Sequence, residues 1–183
     1  MTVGLFLDSN IWNFLFDRKL DLSVELPKEE FTLAITREAE IEFPPDGELK
    51  HFVEATISKC AIVTDAYFGF GNPDYPPDKQ RAGGFGFGRF ITYEEIGFMQ
   101  SQAKKERGGA DRPNGLHKHE ADISLASRSF KSIVVTLDRK KGPLKDALSE
   151  GGKIIFLSDF DESGLGLKEF TLQQIDALQQ AGN

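Results

Sequence analysis

Asp8 and Asp138 each close a short apolar run, VGLFL before Asp8 and IVVTL before Asp138. Such runs read as strands buried on both faces of a parallel sheet, which puts both acids at strand ends. In open parallel sheets, ligands bind in the crevice beyond the carboxyl ends of the strands. Two further acids can join them there. Glu38 and Glu42, four residues apart in TREAEIEF, share one face of a short helix while Glu40 points away. Asp122 interrupts an otherwise small and apolar stretch (Ala121, Ile123, Leu125, Ala126), where an unpaired carboxylate is costly. Each acid alone has an ordinary explanation, as a helix cap or as a partner of the helix dipole. Gathered in one crevice, their like charges need compensation. Hard divalent cations supply it, since Mg²⁺ and Mn²⁺ prefer oxygen ligands and keep waters for a phosphate-bearing substrate.

The elements that must position these acids are legible in outline. Val3 to Leu7 reads as a strand, and Ile11, Trp12, Leu15 and Phe16 recur at helical spacing with Ser9 or Asn10 as the N-cap. Phe31, Leu33 and Ile35 alternate as a second strand, and Thr36 caps a short helix that Pro44 and Pro45 stop. Leu49, Phe52, Val53, Thr56, Ile57 and Cys60 trace one face of an amphipathic helix. Thr92 and Glu95 form a capping-box pattern for a helix running towards Lys105, GGADRPNG breaks the chain, and HEADISLASRSF predicts another helix. Ile133 to Val135 and Ile154 to Leu157 read as strands, SDFDESGLG as a turn, and Phe170, Leu172, Ile175 and Leu178 as one face of a closing helix. Alternating strands and helices predict an α/β domain over residues 1–183, with helices on both faces of a mostly parallel sheet of four to five strands.

Between about residues 65 and 91 the composition shifts to GFGNPDYPP and AGGFGFGRF, which cannot hold a helix interior or a central strand and so predict an inserted loop. Its phenylalanines, with Arg81 and Arg89, have the chemistry to stack on single-stranded bases; equally, they can tuck the loop onto the core or cover an active site. The net charge of −7 argues against non-specific coating of nucleic acid. It is unevenly spread, however: Lys104 to Lys145 holds eleven basic residues against five acids, so that segment is +6 and the remainder −13.

LFLDSNIW, TREAEIEF, HEADISLAS and IVVTLD, in this order and on these elements, resemble the PIN domain. The resemblance covers most of the chain and implies a three-layer α/β/α PIN-like fold. It further implies an acidic cluster binding Mg²⁺ or Mn²⁺ through Asp8, Glu42, Asp122 and Asp138, with Glu38 as the alternate to Glu42 and with Asn10 and Thr136 as polar helpers. The activity implied is hydrolysis of RNA phosphodiester bonds, on a strand expected to be single. A homodimer and an antitoxin-like protein partner are also implied, as is the other use of this fold, a binding or regulatory module with weak catalysis. The Gly/Phe-rich insertion departs from compact members of the family.

Other chemistries fit less well. His117 and His119 project to opposite sides of a strand or far apart around a helix, which makes joint zinc chelation poor and leaves His119, near Asp122, suited to a phosphate contact. LFLD also resembles haloacid-dehalogenase-like phosphatases, but the second aspartate they require is Asn10 here. Cys60, the sole cysteine, lies on an apolar helix face and suits core packing; with no disulfide available and no signal-peptide pattern at MTVGLFLDSN, the expected compartment is the cytoplasm. No apolar run is long enough to span a bilayer, so no membrane partner is expected.

Overall fold

The computed structural model describes residues 2–105, 112 and 115–181. Among these, five strands form one all-parallel sheet: β1 (Val3–Leu7), β2 (Phe31–Thr36), β3 (Val63–Asp65), β4 (Ile133–Thr136) and β5 (Lys153–Phe156), in the order β3-β2-β1-β4-β5. The described helices are α1 (Ile11–Arg18), α2 (Leu22–Glu25), α3 (Arg37–Ile41), α4 (Glu48–Cys60), α5 (Tyr93–Lys105), α6 (Glu120–Arg128), α7 (Pro143–Ser149), α8 (Phe160–Ser163) and α9 (Leu167–Ala181).

The two-residue period of the strands divides the core into two layers. Leu5, Leu7, Leu33, Ile35, Val135 and Ile155 pack with α1, α4 and α9, whereas Phe6, Ala34, Val134 and Ile154 pack with α5, α6 and α7. The result is a three-layer α/β/α fold whose central strands are apolar on both faces, as expected for a parallel sheet covered on both sides. Burying each such Leu or Ile stabilises the fold by ~1.5–3 kcal/mol, so a charge at the fully buried Val134 would break both the layer and the sheet. The strand order reverses between β1 and β4. That reversal is a topological switch point, where neighbouring connections leave in opposite directions and a crevice opens. The residues that end β1 and β4 therefore line it.

Several expectations change. β3 was not foreseen, because three residues with Val63 exposed carry no alternation. The short α2 and α7 were likewise missed, and SDFDESGLG contains a 3-10 turn and α8 where a turn was expected. On α9 the buried positions are Leu167, Phe170, Thr171 and Ile175, and Leu172 is exposed because it falls off that stripe. The HEADISLASRSF helix starts only at Glu120, since His119 adopts the left-handed conformation (φ 60°). Most of GGADRPNG lies outside the described residues.

The insertion folds back onto α5 and α6. Tyr67 bridges to Arg89 and Phe68 to Gly83, and the backbone of Gly88 meets that of Gly83 so closely that a Cβ on Gly88 would sit 2.4 Å from the Gly83 carbonyl oxygen. Only glycine fits there. Arg81 and Arg89 are not presented for stacking on bases. Arg81 binds Glu120 (2.8 Å) and lies over Tyr75; Arg89 binds Asp65 (2.9 Å) and Glu95 (2.5 Å) and lies over Tyr67. Phe70, Phe85 and Phe90 remain exposed around Phe68. Among the described residues, no helix is long and apolar enough to cross a membrane.

Candidate active site

Asp8 follows the last residue of β1 and is only 7% exposed. Its Oδ2 accepts hydrogen bonds from the Thr136 hydroxyl (2.5 Å) and the Asn10 amide (2.7 Å). Asn10 begins α1 but does not cap it through its side chain. Instead its Oδ1 accepts the Leu137 N–H (3.1 Å), so the side chain ties the end of β1 to the end of β4 across the switch point. Thr136, fully buried, also accepts the Asp138 N–H (2.9 Å). The two expected helpers are thus committed to holding Asp8 and the strand ends in place.

Glu42 caps the C-terminus of α3, whose N-terminus Thr36 caps by accepting the Ala39 N–H. Ser9, between Asp8 and Asn10, donates its hydroxyl to Glu42 Oε2 (2.9 Å), and Arg112 binds the other carboxylate oxygen. A cavity of about 410 Å³, lined by Ser9, Asn10, Trp12, Glu42 and Phe43 among others, opens beside them. The third acid, Asp122, lies in the first turn of α6, half-buried, with His119 Nδ1 3.2 Å from its Oδ2. It is therefore not the unpaired buried carboxylate that its apolar neighbours suggest.

These three acids sense one another. Burial pushes the Asp8 carboxyl up; the Thr136 hydrogen bond opposes this, but the charges of Asp122 and Glu42 add to the rise, and the group reaches about 6 against an ordinary 3.8. Glu42 is also raised, first by burial and then by the charge of Asp122, against the counteracting Ser9 hydrogen bond and Arg112. A carboxyl lifted by burial and by like charges in a crevice is the electrostatic pattern of a functional site.

The other candidates go elsewhere. Asp138 is exposed at the rim, where its Oδ1 accepts the Lys140 N–H (2.8 Å). Glu38 does not share the surroundings of Glu42: it is buried, accepts the Ser124 hydroxyl (2.5 Å) and lines a different cavity. The short helix and its end separate the two because Glu42 lies just past the last helical residue. His117 Nε2 meets the Tyr75 hydroxyl at 3.5 Å, whereas His119 meets Asp122. Burial pushes the Cys60 thiol up, in keeping with a packed core residue.

Sequence reasoning missed Ser9 and Arg112. Ser9 had a signal, since it directly follows Asp8; Arg112 had none beyond its charge, because only folding carries it to Glu42. Among the described residues, no three His, Cys, Asp or Glu side chains stand together closely enough to hold one ion by themselves. The donor set nevertheless suits Mg²⁺ or Mn²⁺: it is all oxygen, its like charges are incompletely neutralised, and such ions bind through one or two carboxylates with waters completing the shell. No protein-family model matches the chain, and no curated protein matches it.

Proposed function

We propose that this protein is a metal-dependent ribonuclease that hydrolyses phosphodiester bonds in the crevice between β1 and β4. The observation that carries the reading is the convergence of Asp8, Glu42 and Asp122 at the switch point, with Asp8 lifted to about 6 by burial and by the charges of the other two. The PIN-like order of its motifs agrees with it. One or two of Asp8, Glu42 and Asp122, with waters completing the shell, would hold Mg²⁺ or Mn²⁺, with Asp138 at the rim; the bound ion would supply charge to polarise the scissile phosphate and to lower the pKa of a water. The protein's own contribution is placement. Asn10 and Thr136 orient Asp8, Ser9 couples Asp8 to Glu42, and His119 stands 3.2 Å from Asp122, where its imidazole would be available to a phosphate. Exposed Lys140 and Lys141, two and three residues after Asp138, would offer cations to the RNA backbone at the rim.

The test is cleavage of end-labelled single-stranded and structured RNA by chelator-treated protein, with and without Mn²⁺ or Mg²⁺, beside Asp8→Asn. The expected outcome is metal-dependent cutting that falls by ~10³-fold in the variant, about 4 kcal/mol of transition-state stabilisation. Cutting that ignores either the metal or the substitution overturns the assignment. Absence of both cutting and metal binding in the wild type favours a binding module.

A further inference from the structure

A second cavity, of about 610 Å³, lies on the insertion side of α3 and α6. Its walls include Phe68 from the insertion, Met99 from α5 and Ile123 from α6, and its polar lining includes Glu38, Arg81 and Ser124. The size falls within the ~300–1,000 Å³ of small-molecule sites. We propose that this cavity receives an unpaired guanine base of the strand whose phosphodiester lies in the crevice, a proposal that rests on the nuclease reading above.

The same two elements build both sites. α3 and its C-cap place Glu38 at the cavity and Glu42 at the crevice, four residues apart and so separated by ~6 Å along a helix. α6 places Ser124 at the cavity and Asp122 at the crevice. A base and its neighbouring phosphate span such a step. Phe68, Met99 and Ile123 supply apolar surface for a base plane, whose stacking depends little on its identity.

Identity is read by Glu38. Glu38 is 8% exposed; its Oε2 takes the Ser124 hydroxyl, and among the described residues no hydrogen bond reaches Oε1. A carboxylate pairs with two adjacent donors, and guanine presents them as its N1–H and N2 amino group. Adenine and cytosine place an acceptor nitrogen beside their single amino group, and uracil flanks its single N–H with two carbonyls, so each leaves a lone pair against the carboxylate. Arg81 keeps one side of the cavity in place through Glu120, and exposed Lys118 stands at its edge for a phosphate.

The proposal is tested by calorimetry of the chelator-treated full chain with GMP, AMP, CMP and UMP, using wild type, Glu38→Gln and Met99→Trp. GMP is expected to bind at least tenfold more tightly than the others, with Glu38→Gln abolishing that preference and Met99→Trp, which fills the cavity while sparing Glu38, abolishing binding. Equal affinities, no measurable GMP binding, a preference that survives Glu38→Gln, or GMP binding that survives Met99→Trp overturns it. Mapping RNA cuts separates this inference from the one beneath it. Metal-dependent cutting with no guanine beside the cut sinks the base pocket and leaves the nuclease. Glu38-dependent GMP binding without cutting sinks the nuclease and leaves a guanine-nucleotide site.

Discussion

Two acids at strand ends of the same sheet meet opposite fates. Asp65 ends β3 and is answered by two guanidiniums, Arg89 at 2.9 Å and Arg128 at 2.9 Å, and Arg89 also binds the buried Glu95. Tyr67 lies against both arginines, with Arg128 3.9 Å and Arg89 4.7 Å from its ring centre. Asp8, just past β1, is answered among the described residues by neutral groups, the Thr136 and Ser9 hydroxyls, the Asn10 amide and the Ser9 backbone, with two more carboxylates nearby. Burial pushes both Glu95 and Asp8 up; at Glu95 the hydrogen bonds and charge of Arg89, with the Thr92 N–H, more than reverse the effect, and at Asp8 the neighbouring acids reinforce it. The lesson is that burial of a carboxylate does not mark function. The first cluster is neutralised and fastens the insertion to α5 and α6; the second is left wanting positive charge, which a ligand can supply.

The contrast can be broken most severely at Arg128, which is 1% exposed and also donates to the Ser124 carbonyl. Arg128→Leu leaves Asp65 and that carbonyl short of partners and is expected to cost about 3–5 kcal/mol in urea unfolding. A loss below 1 kcal/mol would show that the cluster is not what holds the insertion.

Replacing Asp8 should act in the opposite direction. A carboxyl raised from 3.8 to about 6 in the folded state makes the folded protein bind more protons than the unfolded chain between those values, so Asp8 costs stability progressively as pH rises through that window. Above it the cost is on the order of 3 kcal/mol. Asp8→Asn keeps an oxygen to accept from Thr136 and Asn10, and in chelator at pH 7.5 it should be more stable than wild type by about 1–3 kcal/mol. The gain should shrink steadily as the pH is lowered and vanish below the ordinary aspartate value. A destabilised variant at neutral pH would show that Asp8 is structural.

Glu95 sharpens the other side. Its carboxyl is held below its usual 4.5, so its contribution is complete above that pH and fades as the pH falls through the folded value. Glu95→Gln should lose about 1.5–3 kcal/mol at neutral pH and show a shallower acid limb in denaturation followed by circular dichroism. The smallest effect is expected at Thr92, whose N–H donates to Glu95 Oε2 at 2.8 Å and whose hydroxyl accepts the Glu95 N–H at 3.4 Å. Thr92→Ala removes half of that capping box at about 1 kcal/mol, and hydrogen exchange should report faster opening confined to the first turn of α5.

Strongly local signals were legible. Val3 to Leu7, the alternation of Phe31, Leu33 and Ile35, the Thr36 cap and the Thr92–Glu95 capping box all rest on neighbours within a few residues, and each forms as read. Elements shorter than one pattern repeat, such as β3 and α2, escaped because three or four residues show no periodicity. The ion pairs of Arg81 and Arg89, read as residues able to stack on bases, and of Arg128, counted only within a basic stretch, were not legible because their acidic partners lie 6 to 63 positions away in sequence.

The sequence by itself determined the class of fold and the kinds of residue that end β1 and β4, because strand burial and turn chemistry are written in adjacent residues. Only the tertiary structure decided which acids share an electrostatic site, turning Glu42 and Asp122 towards Asp8, Glu38 into another cavity and Asp138 onto its own loop. The physical reason is that the energy of a carboxylate depends on its depth and on the charges within a few ångströms, and those are set by chain segments that meet only when the sheet is assembled.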